Sequence, residues 1–137
     1  MTTNMLFFDY QEHEKSFFEK NNIEGFNITF FEENLTLDTI KKLPQETLDN
    51  ATVISVSTYS SVDKNIIENF KNLRIIATRS KQHEHICKKS TNERNIAILN
   101  VENCDDNNPQ NNTHKNLQTM FDEIRDTQKG AHIYGTI

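Results

Sequence analysis

Five short apolar runs recur along the chain, and each is separated from the next by a stretch too long for a β-hairpin. They lie at residues 5–8, 26–31, 51–56, 73–78 and 95–101, and β-branched and aromatic residues dominate the second run. Strands with connections of this length pair in parallel through right-handed crossovers. The pattern therefore predicts an α/β fold, a doubly wound parallel five-stranded sheet of the flavodoxin type with strand order 2-1-3-4-5.

The segments between the runs carry helix signals. Thr36 or Asn34 can cap a short helix that Pro44 ends, and Asp63 can cap the helix that follows the third run. Further polar helices are predicted at residues 11–22 and 84–94. Each predicted crossover thus contains a helix, as the doubly wound fold requires.

The pattern breaks after residue 101. Residues 102–113 are polar and cannot bury themselves, so they are predicted to form a linker between a domain at 1–101 and a C-terminal segment at 114–137. That segment is predicted to be a helix that Gly130 can end, followed by a short terminal strand. Its apolar residues recur at i, i+3, i+4 and i+7. They are Leu117, Met120, Phe121 and Ile124.

This apolar stripe has two possible partners. The helix can fold back onto its own sheet, or the linker can carry it to a second subunit. Burial of four such side chains is worth roughly 1.5 to 3 kcal/mol each, enough to drive association. We expect a homo-oligomer formed through the C-terminal helix.

Charge argues against two classes of partner. Fifteen basic and twenty acidic side chains give a formal charge of −5, whereas nucleic-acid and anionic-membrane contacts depend on excess Lys and Arg. The first ten residues lack the features of a signal peptide, and no apolar run reaches the roughly 20 residues needed to span a bilayer. We expect a cytoplasmic protein that binds neither nucleic acid nor membrane, with Cys87 and Cys104 as free thiols.

Short sequence motifs within residues 4–101 resemble those of a known protein family. The stretches ISVSTYSSVD at 54–63 and LRIIATRS at 73–80, followed by His85-Ile86, resemble the substrate-binding domain of the D-isomer-specific 2-hydroxyacid dehydrogenases, particularly the D-lactate dehydrogenase branch. The resemblance implies that the loop after the fourth strand holds the substrate carboxylate with backbone amides. It also implies that a separate dinucleotide-binding domain carries NAD and the catalytic Arg, Glu and His.

The resemblance also assigns residues to the substrate loop. Gln82 stands where the family has the glycine that lets backbone approach the carboxylate, so a side chain is expected to fill the substrate's space. Residues 102–106 do not match the family's downstream motif, and no catalytic residue carries over. The loop equivalents are Tyr59, Arg79, Ser80, Lys81, Gln82 and His85.

The glycine count limits the cofactor. With only Gly25, Gly130 and Gly135, the chain cannot contain a G-x-G-x-x-G turn. We therefore predict a stand-alone, catalytically silent relative of the substrate-binding domain, an interaction or small-ligand-binding module with no cofactor. The alternative is a truncated or split subunit of an active D-2-hydroxyacid dehydrogenase, with NAD supplied by a Rossmann-domain partner chain.

The same loop contains residues suited to two other chemistries. His83, His85 and Cys87 form an H-x-H-x-C pattern whose donors suit zinc, but a site needs a further convergent ligand. Cys87 near a helix N-terminus could be a nucleophile. We favour a structural role for His85, a solvated His83 and an idle thiol, and predict no metal.

Overall fold

A parallel five-stranded sheet forms the centre of the molecule in this computed structural model, which describes residues 2–57, 60–79, 85–100 and 109–135, with side chains of the last range described at 115–128. The strands are β1 (Thr3–Phe7), β2 (Phe26–Phe30), β3 (Val53–Val56), β4 (Ile75–Thr78) and β5 (Ala97–Asn100). Their order is β2-β1-β3-β4-β5, and every pairing is parallel. The predicted flavodoxin-like α/β fold is confirmed.

The sheet is most deeply buried at its middle strands. Met5 of β1 pairs with Ile28 on one side and with Val53 on the other. Every residue of β3 and β4 is buried, as expected of strands covered on both faces. β2 and β5 lie at the two edges, where burial is only partial.

Helices fill the crossovers and follow β5. In the described residues they are α1 (Glu12–Lys20), α2 (Leu37–Lys41), α3 (Gln45–Asn50), α4 (Lys64–Ile67), α5 (Lys88–Glu93) and α6 (Pro109–Gly135). The Thr36 hydroxyl accepts a hydrogen bond from the Thr39 N–H at 3.2 Å, and the Asp63 carboxylate accepts one from the Ile66 N–H at 3.0 Å. Both predicted caps are therefore present.

Helix α3 was not predicted. Pro44 was interpreted only as the end of the preceding helix, whereas it also stands in extended conformation directly before α3. Proline cannot continue a helix but is well tolerated at the start of the next one. Three residues, Lys42 to Pro44, therefore separate the two helices.

Helix α6 is longer than predicted at both ends. It begins at Pro109, inside the predicted linker at 102–113, and continues through Gly130 to Gly135, so the strand predicted within 131–137 is wrong for the described residues. Proline suits the first helical turn because that turn needs no N–H donor, and one glycine costs a helix only about 1 kcal/mol. No described helix is long and apolar enough to cross a membrane.

The two faces of the sheet are covered by different helices. Residues of α2 and α4 pack on one face, and α1 and α6 cover the other. Leu117, Met120, Phe121 and Ile124 of α6 are each at most 2% exposed and pack with Phe7 of β1. The stripe is thus buried against its own sheet, which is the first of the two partners that the sequence allowed. Homo-oligomerisation through this helix stays a prediction.

Candidate functional site

Polar residues gather at the carboxyl edge of the sheet, where β1, β3 and β4 end. Asp9, Ser57 and Arg79 follow these strands directly or within two residues. β2 lies on one side of β1, while β4 lies beyond β3 on the other side, so the chain turns in opposite directions after β1 and β3. Ligands of open α/β sheets bind at such a switch point. This edge is therefore the candidate site.

Arg79 reaches from the end of β4 across to β1 and α1. Its Nε lies 2.7 Å from the Glu14 carboxylate, and its Nη1 donates to the Ser55 hydroxyl at 2.7 Å. Its Nη2 donates to the carbonyl oxygens of Phe8, at 2.6 Å, and Asp9, at 2.9 Å. The Arg79 side chain is only 9% exposed. The guanidinium is therefore engaged on several sides by groups of the chain itself.

Glu14 is the buried counter-charge of Arg79. One carboxylate oxygen accepts from the Gln11 backbone N–H at 2.8 Å and closes a capping box at the start of α1. Burial raises the pKa of Glu14, and the charge of Arg79 only partly offsets this rise. Sequence analysis missed Glu14, although its position three residues before Phe17 places it on the buried face of the helix.

Asp9 shapes the turn after β1. Its φ of 55° lies in the left-handed region, which is unfavourable for most residues but is tolerated by Gly, Asn and Asp. Its backbone N–H donates to the Glu33 carbonyl at 2.9 Å. Its carboxylate accepts hydrogen bonds from the Gln11 side chain and the Ser57 hydroxyl. This acid holds the β1 and β3 turns together.

His85 lies beside the end of β4. Its Nε2 is 3.0 Å from the Thr78 hydroxyl, and its carbonyl accepts from the Val62 N–H at 2.8 Å. The Val62 carbonyl in turn accepts from the Cys87 N–H at 2.8 Å, so Val62 and Ile86 form a short parallel bridge. These contacts hold residues 85–87 against β4 and Val62.

The remaining predicted loop residues cannot be placed. Tyr59, Ser80, Lys81 and Gln82 lie outside the described residues. The assignment of a filled loop to Gln82 therefore stays a prediction. Of the six loop equivalents, the structure describes the two at the segment's borders, Arg79 tied to β1 and α1, and His85 tied to β4.

Metal and thiol chemistry gain no support from the described part of the chain. It contains no group of three His, Cys, Asp or Glu side chains able to hold a metal ion, and His83 of the H-x-H-x-C pattern lies outside it. The Cys87 sulfur is 3.4 Å from the Ser90 hydroxyl. Hydrogen bonds from Ser90 lower the pKa of the Cys87 thiol, whereas the charge of Asp63 acts in the opposite direction.

A cleft of about 450 Å³ lies at the opposite, amino edge of the sheet. Its floor includes Val53 and Ile75, and polar side chains such as Thr52 and Gln128 line its walls. Arg74 is the charged residue of this lining. The cleft is large enough for a small organic ligand, with one cation to receive an anionic group.

Comparison with known protein families gives one assignment. A family model described as "D-isomer specific 2-hydroxyacid dehydrogenase, catalytic domain" matches residues 5–124. A search of curated proteins finds no match. The family match begins within β1, covers the other four strands in full and includes most of α6.

Solved structures share the fold at low sequence identity. D-Lactate dehydrogenase of Aquifex aeolicus, complexed with NAD and lactic acid, gives a TM-score of 0.61 at 20% identity and covers 72% of this chain and 28% of its own. The apo D-lactate dehydrogenase of Escherichia coli gives a TM-score of 0.61 at 18% identity, and the match covers 72% of this chain and 31% of that enzyme. NAD⁺-bound 3-phosphoglycerate dehydrogenase of Entamoeba histolytica gives a TM-score of 0.56 at 16% identity, and the match covers 74% of this chain and 33% of that enzyme. The chain thus spans between 28% and 33% of the length of these structures.

Proposed function

The chain belongs to the D-isomer specific 2-hydroxyacid dehydrogenase family, and we propose that it acts as a substrate-domain module that binds a small ligand or a protein partner and performs no redox chemistry by itself. The observation that carries this proposal is the engagement of Arg79. The guanidinium of Arg79, at the carboxyl edge of the sheet, already contacts Glu14, Ser55 and two backbone carbonyls. It is therefore unavailable to a substrate carboxylate unless this network opens.

The turn after β1 is also a poor phosphate site. Dinucleotide-binding folds hold the pyrophosphate at a helix N-terminus that follows a glycine-rich turn. Here Asp9 follows β1, and Glu12 and Glu14 occupy the first turn of α1. The charges of Asp9 and Glu12 oppose a pyrophosphate, whereas the charge of Glu14 is compensated by Arg79, so the turn after β1 is unsuited to hold one. A small ligand would find room in the amino-edge cleft beside Arg74.

A second candidate keeps the family's activity. Several proteins of this fold are D-lactate dehydrogenases, and the chain spans less than a third of the Aquifex and Escherichia enzymes. A nucleotide-binding domain supplied by a separate chain, or by additional sequence, would complete such an enzyme and bring NAD with it. In either case we propose a cytoplasmic location, which suits Cys87 as a free thiol.

Calorimetry tests the first proposal. The 137-residue chain is titrated with NAD and NADH and assayed for reduction of 2-keto acids, with an intact D-lactate dehydrogenase as the positive control. We expect neither saturable micromolar binding nor turnover. Saturable micromolar binding of NAD or NADH, or turnover of a 2-keto acid, would overturn the claim that the chain alone performs no redox chemistry.

Affinity purification of the tagged chain from its own cells separates the two candidates. Recovery of a stoichiometric Rossmann-domain protein, together with NAD-dependent activity of the pair, would establish the split-enzyme alternative. Recovery of partners without that activity, or ligand binding by the chain alone, supports the module.

A further inference from the structure

The edge strand β2 has one open side in the described part of the chain, where it pairs only with β1. Gly25, just before the strand, accepts from the Thr3 N–H at 2.8 Å, and Phe31, just after it, donates to the Phe7 carbonyl at 2.8 Å. Backbone groups of successive residues in a strand point to opposite sides. The odd-numbered residues therefore face β1, and the even-numbered residues point their N–H and C=O groups outwards.

The even-numbered residues of β2 are also its apolar ones. They are Phe26, Ile28 and Phe30, and Phe30 is 37% exposed. The Phe30 ring packs on Tyr10 and Phe18, with ring centroids 4.5 and 4.8 Å apart. An aromatic patch thus continues up to the open edge on the face covered by α1 and α6.

The strand matches its own reverse. Its residues read F-N-I-T-F, so an antiparallel copy centred on Ile28 sets Phe26 opposite Phe30 of the second copy, and Asn27 opposite Thr29. Side chains directly opposite in an antiparallel pair share a face, so apolar meets apolar and polar meets polar. Each even-numbered pair would also exchange two backbone hydrogen bonds. A twofold axis requires this kind of self-complementarity.

We propose that β2 is a self-association edge, at which a second copy of this chain adds its own β2 antiparallel to form a ten-stranded sheet. Native edge strands are usually protected by Lys, Pro or a bulge, and residues 26–30 contain neither Lys nor Pro. This interface is independent of the α6 stripe, which is buried within the chain. It also does not depend on the function proposed above.

The register has an electrostatic signature. Glu24 lies in the turn before the strand and Glu32 in the bend after it, so the twofold pairing brings each near the other of the second copy. Both are exposed, so salt screens their repulsion and strengthens the dimer. A contact of this small size is expected to be a weak, micromolar one.

Sedimentation velocity of the full chain from 5 to about 300 µM tests the interface. We expect a reversible monomer–dimer equilibrium. The variant Asn27→Lys/Thr29→Lys places like charges opposite each other on the exposed face and should weaken the dimer at least about fivefold. At a concentration where both proteins are monomers, its melting temperature should fall by no more than the loss of the exposed Asn27–Asn4 hydrogen bond costs. The matched control, Asn65→Lys/Asn92→Lys, adds the same charge on α4 and α5 and should leave the dimer unchanged. A wild-type monomer at all concentrations, or a dimer insensitive to the β2 substitutions, overturns the proposal.

A charge reversal tests the register. Glu32→Lys converts two repulsive pairs into attractive ones and should tighten the dimer several-fold at low salt, whereas Glu93→Lys on α5 makes the same change of net charge and should not. Equal effects of the two substitutions would contradict the Ile28-centred pairing.

Discussion

The Nε atom of Arg79 lies 2.7 Å from the carboxylate of Glu14, and the Cζ atom of the same guanidinium lies 3.9 Å from the centre of the Phe7 ring. The pair joins the end of β4 to the start of α1, and neither side chain is more than 9% exposed. A charged pair this deep is costly to desolvate, and each partner is needed to compensate the other.

Replacement of Arg79 should strongly destabilise the fold. Arg79→Met leaves the Glu14 carboxyl without its counter-charge and removes the donors to the Phe8 and Asp9 carbonyls, so we expect a loss of about 3–5 kcal/mol in the free energy of unfolding. Urea denaturation at neutral pH measures it. Arg125 offers a matched control, since it lies over the Phe26 ring and donates to a carbonyl at 3.0 Å but is 38% exposed. Arg125→Met should cost no more than about 1 kcal/mol, and similar losses for both variants would contradict the role of burial.

Glu14 should make the protein less stable as pH rises. Its folded-state pKa is raised above the unfolded value of 4.5, so the folded state binds the proton more tightly. The stabilisation that this proton supplies is complete below the unfolded pKa and is lost as pH rises through the folded pKa. Urea denaturation across this window should therefore show wild type losing stability relative to Glu14→Gln. The opposite slope would mean that Arg79 outweighs burial and lowers the Glu14 pKa.

Gln82→Gly should restore binding of a small carboxylate if the side chain at this position fills the substrate loop. The family places glycine there, and removal of the side chain would let backbone amides approach the ligand. With lactate at ten times the dissociation constant, binding stabilises by about 1.4 kcal/mol, or roughly 5 °C in melting temperature. The wild type and a Lys81→Gly control, which adds the same backbone freedom, should show no shift with lactate or glycerate. A shift in the wild type would show that Gln82 does not exclude the ligand.

Phe121 should be essential to the fold. Its ring is fully buried and lies 5.1 Å from the Phe26 ring and 6.3 Å from the Phe17 ring, so Phe121→Ala should cost about 3–5 kcal/mol of unfolding free energy. Thr119→Ala, on the exposed side of the same helix, should stay within about 0.5 kcal/mol. Denaturant titration measures both. A small loss at Phe121 would indicate that α6 is not packed on its own sheet in solution.

Strand positions and helix caps could be predicted because their signals are local. An unbroken apolar run indicates a buried strand wherever it occurs, and Asp63 satisfies N–H groups only three residues away. The Arg79–Glu14 pair could not be predicted in the same way. Glu14 stands among charged residues of an amphipathic helix, and only the sheet order brings it beside Arg79, 65 positions later in the chain. The C-terminal helix was predicted correctly, but its start was placed too late because its first turn has no apolar residue to mark it.

The position of α6 has a consequence for the order of events during synthesis. The face formed by Met5, Phe7 and Val53 is completed by residues near the other end of the described chain, among them Ile124. Contacts with so large a sequence separation form slowly and only after the distant segment has left the ribosome. A nascent chain that has already made all five strands and α1 therefore still exposes the part of this apolar face that α6 covers, until α6 has been synthesised.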